Sequence, residues 1–156
     1  MQKITPFLWF NTQAEEATRF YVSLFPNSKI VSINRIGDGG PVMTTSFELD
    51  GQPVIALNGG PEFKFNEAFS FFVNCETQAQ VDDLWTKLTA DGGEEGQCGW
   101  LKDKFGLSWQ IIPVTLMELM GDPDPVKAQS VTQAMLKMHK IDSALLRQAY
   151  EGAKVP

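Results

Sequence analysis

The stretch AFSFFVNCETQAQVDDLWTKL, residues 68–88, decides the fold. It opens on an apolar run over 68–74, which is typical of a buried β-strand. Thr77-Gln78-Ala79-Gln80 follows as a capping box, a pattern that satisfies the first backbone N–H groups of a helix. The helix that it opens has one apolar face, made of Val81, Leu84, Trp85 and Leu88. The stretch predicts a strand that leads directly into a helix, and Asp91-Gly92-Gly93 ends that helix.

The same pattern occurs near the start of the chain. Ile4–Phe10 is an apolar, β-rich run, and Thr12-Gln13-Ala14-Glu15 is a second capping box, 65 residues before the one at Thr77. The helix predicted after it has an apolar face made of Ala14, Ala17, Tyr21 and Leu24. A period this long, seen twice, indicates a duplicated unit.

Each predicted helix is followed by three short β-rich segments. In the first half they lie at about 29–36, 43–49 and 53–58, and in the second at about 94–98, 100–104 and 107–113. Pro26-Asn27 ends the first helix, and Asp50-Gly51 is the signature of a tight hairpin. The chain therefore reads as two βαβββ units, and the fold class is α+β.

The last forty residues are predicted to be helical. Val114–Met120 forms a short helix, and Asp124 with Pro125 begins a second one that runs to about Lys140. Asp142 caps a last helix that ends at Gly152. One apolar stripe, made of Ala128, Val131, Met135 and Met138, is predicted to pack against the domain or against a second subunit. His139, beside two lysines, is expected to cap the end of the second helix.

Composition excludes several classes of protein. The 156 residues carry a net charge of −6 with a pI of about 4.7, which opposes binding to nucleic acid. No apolar run approaches the length of about 20 residues that spans a bilayer, and the first residues lack the pattern of a signal peptide, so we expect neither feature. Cys75 and Cys98 lie 23 residues apart without metal-ligand spacing. We expect a cytoplasmic protein with free thiols and no nucleic-acid or membrane partner.

Local sequence adds a resemblance to a known family. The segments that carry it include Leu8-Trp9-Phe10-Asn11, Phe25-Pro26-Asn27-Ser28, Leu49-Asp50-Gly51-Gln52-Pro53, Ala56-Leu57-Asn58-Gly59-Gly60-Pro61 and the run from Gln97 to Gly106. They resemble the PhnB-like branch, often labelled 3-demethylubiquinone-9 3-methyltransferase, of the vicinal-oxygen-chelate superfamily of glyoxalases, dioxygenases and bleomycin-resistance proteins. The resemblance implies one domain over 1–156, with curled-sheet units at about 1–61 and 66–113 and a helical extension over 114–156. It also implies a homodimer.

Metalloenzymes of that superfamily hold a metal with one ligand from the first and one from the last strand of each unit. Carried over through the resemblance, these positions hold Thr5, Ala56, Ala68 and Gln110. A transition metal needs about three strong donors from His, Cys, Asp or Glu, and this set offers none of them. A shift of one residue places Glu67 at the ligand position of Ala68, and the set then still has too few donors to hold a metal. We expect no metal and no other cofactor.

The same carry-over places a set of side chains in a pocket. The expected ligand-binding residues are Phe7, Trp9, Asn58, Ser70, Phe72, Ser108 and Gln110. Gln110 and Asn58 act as polar anchors in this interpretation, and the aromatic rings act as walls. A filled core, in which the rings pack against each other, fits the same residues equally well.

Three functions stay open at this point. The leading one is a metal-independent protein that binds a small molecule. The second is an enzyme, a lyase, isomerase or transferase, for which Glu67, Cys98 and Lys102 are the candidate groups and no catalytic residue is assigned. Neither Gly37-Asp38-Gly39-Gly40 nor Asn58-Gly59-Gly60 lies between a strand and a helix, so a nucleotide-binding loop is not expected. The third is a protein-interaction role for the C-terminal helices.

Overall fold

The computed structural model describes residues 2–153 as two compact units, the first ending at Phe65 and the second beginning at Asn66. The elements of the first unit are β1 (Phe7–Phe10), α1 (Ala14–Leu24), β2 (Lys29–Arg35), β3 (Val42–Leu49) and β4 (Gln52–Asn58). Those of the second are β5 (Ser70–Cys75), α2 (Gln78–Thr89), β6 (Glu94–Glu95), β7 (Trp100–Lys102), β8 (Ser108–Pro113), α3 (Val114–Met120), α4 (Pro125–Met135) and α5 (Ser143–Glu151). Within residues 2–153, no helix has the length and apolar character needed to cross a membrane.

Both units have the same sheet topology. The strand order is β1-β4-β3-β2 in the first unit and β5-β8-β7-β6 in the second. The first strand of each unit pairs in parallel with the last, and the other neighbours are antiparallel. The predicted duplication of a βαβββ unit and the α+β class are confirmed.

In each unit the helix covers one surface of the sheet, which we call the helix face; the opposite surface is the far face. On sheet 1 the helix face carries buried side chains, namely Leu8, Phe10, Thr45, Phe47, Val54 and Ala56. The Thr18 and Thr45 hydroxyls share a buried hydrogen bond of 2.6 Å that joins α1 to β3. Burial of these apolar side chains is the main force that holds the helix on the sheet.

Helices α1 and α2 begin differently. Thr77 forms the predicted capping box, in which its hydroxyl accepts from Gln80 N and the Gln80 side chain accepts from Thr77 N. The capping box predicted at Thr12 is wrong: Gln13 is the N-cap residue of α1 and its side chain makes no capping hydrogen bond. The backbone N–H of Ala14 is instead satisfied from a distant strand, by Asn58 Oδ1 at 2.8 Å.

Several strands are shorter than predicted or begin later, and β6 spans only Glu94–Glu95 instead of 94–98. β1 begins at Phe7 instead of Ile4 and β5 begins at Ser70 instead of Ala68, so Thr5 and Ala68 both lie before their strands. β7 ends at Lys102, because the next residues form the turn that leads to β8. The hairpin at Asp50-Gly51 is present, with positive φ at both residues.

The C-terminal helices pack against the end of β8 and form a second apolar core in unit 2. Its buried members are Ile112, Leu116, Val131, Ile141 and Leu146, with Met135 and Met138 packed against them. The stripe predicted on α4 therefore packs within its own unit. α3 and the caps at Asp124 and Asp142 are as predicted, but α4 ends at Met135 and not near Lys140.

Candidate functional site

The register of sheet 2 brings most of the predicted unit 2 site residues onto its far face. Ser70 pairs with Ser108, which pairs with Lys102, which pairs with Glu94, so these four form one row across the four strands. The neighbouring row consists of Phe72, Gln110 and Trp100. Side chains directly opposite one another in a ladder lie on the same face within about 5 Å. Sequence reasoning predicted Ser70, Phe72, Ser108 and Gln110 for this face.

Ser108 is the unusual member of the first row. Its side chain is 0% exposed, yet its Oγ has no hydrogen-bond partner within the described residues. A buried hydroxyl without a partner loses its bonds to water without replacement, which costs about 1–3 kcal/mol. Such a group is a place where a ligand atom or an ordered water restores a lost interaction.

Gln110 lies beside it in a partly buried position. Its Nε2 donates to Ser70 Oγ at 3.0 Å, which fixes the orientation of the amide. A side-chain amide oxygen accepts two hydrogen bonds, so this orientation keeps the Gln110 carbonyl as an acceptor on the far face.

An ion pair lies at one side of this face. Lys102 Nζ contacts Glu67, and the hydrogen bond from Lys102 lowers the pKa of the Glu67 carboxyl below its ordinary value. The same hydrogen bond raises the pKa of Lys102, helped by the Glu67 charge and, more weakly, by Glu94. Both groups are therefore held in their charged forms at neutral pH.

A cleft of about 560 Å³ lies on unit 2, and of the four predicted far-face residues only Ser108 lines it; Ser70, Phe72 and Gln110 do not. Its lining includes Glu67, Glu94, Cys98, Trp100, Lys102 and Ser108. The three groups that sequence reasoning offered for an enzyme, namely Glu67, Cys98 and Lys102, thus line one cavity. It missed Trp100 and Glu94 as site residues, although the alternation of side chains along β7 puts Trp100 and Lys102 on one face.

The loop between β6 and β7 forms one wall of the cleft, and the chain after α4 holds that loop in place. Cys98 N donates to Met138 O and Gly99 N to His139 O, each at 2.8 Å. His139 Nδ1 lies 2.8 Å from Gly96 O. The prediction that His139 caps α4 is wrong, because the helix ends four residues earlier and the imidazole binds the loop instead.

Unit 1 presents a different arrangement. Phe7 and Trp9 pair with Ile55 and Leu57, so all four lie on the far face of sheet 1. Phe7 is 55% exposed, whereas Trp9 Nε1 donates to Gly60 O at 2.9 Å and its ring packs edge-on against Phe63.

The predicted placement of Ala56 and Asn58 beside those rings is wrong by one residue of register. Ala56 pairs with Leu8 and Asn58 with Phe10, both of them buried on the helix face. Asn58 Nδ2 donates to Val42 O at 3.1 Å, and Asn58 Oδ1 accepts from Ala14 N. Both polar atoms of the amide are therefore hydrogen-bonded within unit 1. A slip of one position moves a side chain to the other face of a sheet.

The side chains present do not fit the metal that the superfamily's enzymes hold. The corrected far-face position next to Ala56 is Ile55, which is again apolar, and Gln110 offers one neutral amide. Within residues 2–153, no three His, Cys, Asp or Glu side chains come together as a metal-binding group.

Known proteins agree with the topology. The family model of 3-demethylubiquinone-9 3-methyltransferase matches residues 2–112. A PhnB protein from Bacillus cereus is 38% identical, with a TM-score of 0.67 over 72% of this chain and 99% of its own. The chain therefore belongs to this PhnB-like family, and the resemblance read from the sequence is confirmed.

Two further structures are similar at lower identity. A Pseudomonas aeruginosa protein is 19% identical with a TM-score of 0.57, over 72% of this chain and 98% of its own. A glyoxalase-related enzyme from Fulvimarina pelagi is 15% identical with a TM-score of 0.49, over 72% of this chain and 88% of its own. The first of these supports the fold alone. No curated protein sequence matches the chain.

The family match ends at residue 112, the fifth residue of β8. Helices α3, α4 and α5 therefore lie beyond the part that defines the family. The residues after α4 that hold the cleft wall, Met138 and His139, belong to this additional segment.

Proposed function

We propose that the chain is a metal-independent small-molecule-binding protein whose ligand occupies the cleft on the far face of sheet 2. The observation that carries the proposal is the buried, unpaired hydroxyl of Ser108 among the residues that line this cleft. Ligand sites are typically apolar cavities with a few placed polar groups, and about 300–1,000 Å³ in volume. Trp100 supplies apolar surface in the cleft, and Phe72 and Gln110 lie beside it in the neighbouring row of the same face.

The test is a thermal-shift screen of metabolites and of divalent metals on the purified chain. A ligand that binds only the folded state raises the apparent melting temperature according to its concentration and affinity. We expect ligands whose shift disappears in Trp100→Ala and persists in Met117→Ala, where an exposed side chain of α3 is truncated. Each variant is compared with its own ligand-free melting temperature.

Two outcomes contradict the proposal. The first is stoichiometric, tightly held Zn, Ni, Mn or Fe in the purified protein, because the site is proposed to work without a metal. The second is a ligand whose stabilising effect is equal in wild type and Trp100→Ala, because that ligand binds elsewhere.

A second candidate function is an enzyme acting in the same cleft, a lyase, isomerase or transferase. The observation in its favour is that Glu67, Cys98 and Lys102 line the cavity together. Against proton transfer at neutral pH stands the ion pair, which keeps Glu67 deprotonated and Lys102 protonated. In such an enzyme we assign Lys102 the role of a fixed positive charge rather than that of a base.

A turnover assay on ligands found by the screen separates the two functions. Lys102→Ala abolishes turnover if Lys102 stabilises developing negative charge, whereas Lys87→Ala, on the exposed surface of α2, leaves it unchanged. Turnover that is equal in wild type and Lys102→Ala removes this assignment.

For the assembly we propose a cytoplasmic homodimer without a nucleic-acid or membrane partner. The two free cysteines and the net charge of −6 support the location and the absence of a nucleic-acid partner. Three exposed apolar side chains of the C-terminal helices, Met117, Leu136 and Leu145, offer a surface for association. Light scattering after size-exclusion chromatography decides the oligomeric state, and a monomer at micromolar concentration contradicts the dimer.

A further inference from the structure

We propose that the cleft on unit 2 selects a ligand with a protonated amine attached to a small apolar or aromatic group. This inference rests on the proposed function and names the chemistry of its ligand. It follows from the acceptors, the charge and the rings that the far face of sheet 2 presents.

The far face of sheet 2 presents several hydrogen-bond acceptors, which favours a ligand that donates. Gln110 lies beside the cleft, opposite the lining residue Trp100; its donor nitrogen is engaged by Ser70 and its amide oxygen remains an acceptor. Ser108 adds a buried hydroxyl oxygen without a partner, and Glu94 adds a carboxylate. A primary ammonium group has three donors and no acceptor, which complements such a set.

The second step is the charge of the cleft. Lys102 is neutralised by its contact with Glu67, so the two other carboxylates that line the cleft, Glu94 and Glu95, leave it with surplus negative charge. Glu94 lies in the row of Lys102, and Glu95 Oε1 accepts from Trp85 Nε1 at 2.6 Å. A cationic ligand reduces this surplus, whereas an anion meets net repulsion.

The third step is the aromatic surface next to these acceptors. Trp100 lies two residues before Lys102 on β7, and its Cα partner is Gln110. Phe72, on the other side of Gln110, is 46% exposed. An ammonium group near the face of a tryptophan ring gains a cation–π attraction, and the apolar part of the ligand gains contact area.

The experiment compares three probes of one shape and three charges: benzylamine, benzyl alcohol and benzoate. Each is titrated into 15N-labelled protein, and the indole N–H signal of Trp100 is followed, with Trp100→Phe used to assign it. The indoles of Trp9 and Trp109 serve as internal references, since each donates to a protein oxygen outside the lining of the cleft. We expect benzylamine to bind at least about 5-fold more tightly than benzyl alcohol, and benzoate to bind more weakly than either.

Two variants and a control locate the effect. Glu94→Gln reduces the affinity for benzylamine by about 3- to 10-fold, since it removes one of the two surplus charges at a partly screened distance. Ser108→Ala reduces it by a smaller factor and leaves the order of the three probes unchanged. Glu118→Gln removes the same charge from the exposed surface of α3, and we expect no change in affinity.

The outcomes separate this inference from the proposed function. Equal binding of the three probes at Trp100, or tighter binding of benzoate, overturns the amine specificity and leaves a small-molecule site in place. An affinity for benzylamine that Glu94→Gln does not change overturns the assigned acceptor. Perturbation of Trp100 by none of the probes overturns the inference, and the failure of the wider thermal-shift screen then removes the proposed function as well.

Discussion

Asn58 Oδ1 accepts a hydrogen bond of 2.8 Å from the backbone N–H of Ala14, so the first helix is capped by a residue 44 positions further along the chain. The same amide donates to Val42 O and thereby ties the end of β4 to the start of β3. One side chain thus joins the helix and two strands of unit 1.

The first prediction compares the starts of the two helices. We expect Asn58→Ala to lower the free energy of unfolding by about 1–2 kcal/mol and Thr77→Ala by about 1 kcal/mol, because each removes a capping acceptor. Thr12→Ala lowers it by less than about 0.5 kcal/mol, since its side chain caps nothing. Urea unfolding followed by circular dichroism gives the three values. A larger loss for Thr12→Ala than for Asn58→Ala contradicts the assigned cap.

The second prediction concerns the buried carboxylate of the β7–β8 turn. Asp103 is 2% exposed; its Oδ1 accepts from Phe105 N and Leu107 N, and its Oδ2 accepts from Trp109 Nε1 at 2.9 Å. Asp103→Asn places an amide donor against one of these N–H groups. We expect a loss of stability of about 1–3 kcal/mol.

The control for Asp103 is Asp83→Asn, which affects only an exposed pair with Lys87. Its expected effect on unfolding in urea is below about 0.5 kcal/mol. If both variants unfold at the same urea concentration, the Asp103 hydrogen bonds do not stabilise the turn in solution.

The third prediction separates the two thiols. Burial raises the pKa of Cys75 to about 11, whereas Cys98 lines the cleft and is partly exposed. The thiolate is the reactive form, so a disulfide reagent at pH 8 should modify Cys98 in the native protein and Cys75 only after unfolding. Mass spectrometry of the native protein and of Cys98→Ser identifies the modified residue. Rapid native modification of Cys75 contradicts its burial.

The same pKa predicts a dependence of stability on pH. The unfolded thiol ionises near its ordinary value of 9.0, while the folded one keeps its proton up to about 11. Between these values the unfolded state binds fewer protons, so stability falls as the pH rises. At pH 10 we expect Cys75 to cost the wild type about 1 kcal/mol more, relative to Cys75→Ala, than at pH 8.

The fourth prediction tests whether the C-terminal segment holds the β6–β7 loop in place through Met138 and His139. Ile141→Ala removes a side chain that is 0% exposed in the second apolar core and should cost about 2–5 kcal/mol. Gln129→Ala, at an exposed position of α4, should change stability by less than about 0.5 kcal/mol. Hydrogen exchange of the Cys98 and Gly99 amides should accelerate in Ile141→Ala, because their acceptors lie just before residue 141. Unchanged exchange at both amides contradicts this role of the C-terminal segment.

Local sequence signals were sufficient to predict the strand and helix order of the repeated unit. The strand-to-helix stretch around Thr77, the Asp50-Gly51 hairpin and the Asp142 cap depend on neighbouring residues, and each is present in the structure. The capping box at Thr12 has the same local form and still does not form, because Asn58 supplies the acceptor through a contact that only the folded sheet creates.

The candidate site was harder to predict because it depends on register. Ser70, Phe72, Ser108 and Gln110 fall on one face, as their alternation along β5 and β8 indicates. Ala56 and Asn58 were placed by counting along the repeat, and an error of one residue moved both to the wrong face. The end of α4 was missed because the chain leaves the helix after Met135 and the Met138 and His139 carbonyl groups accept from the β6–β7 loop, a contact that no local pattern shows.

Gly99 stands where the family domain and the added helices meet. Its N–H donates to His139 O, its carbonyl accepts from Ile111 N, and a Cβ built there comes within 2.8 Å of Ile112 Cδ1 and 3.1 Å of Ile141 Cγ1. Its φ of +85° also favours glycine. The φ and the contact with Ile112 belong to the family domain itself, so this position favours glycine with or without Ile141. The added helices are therefore attached to a turn whose glycine the family domain already needs.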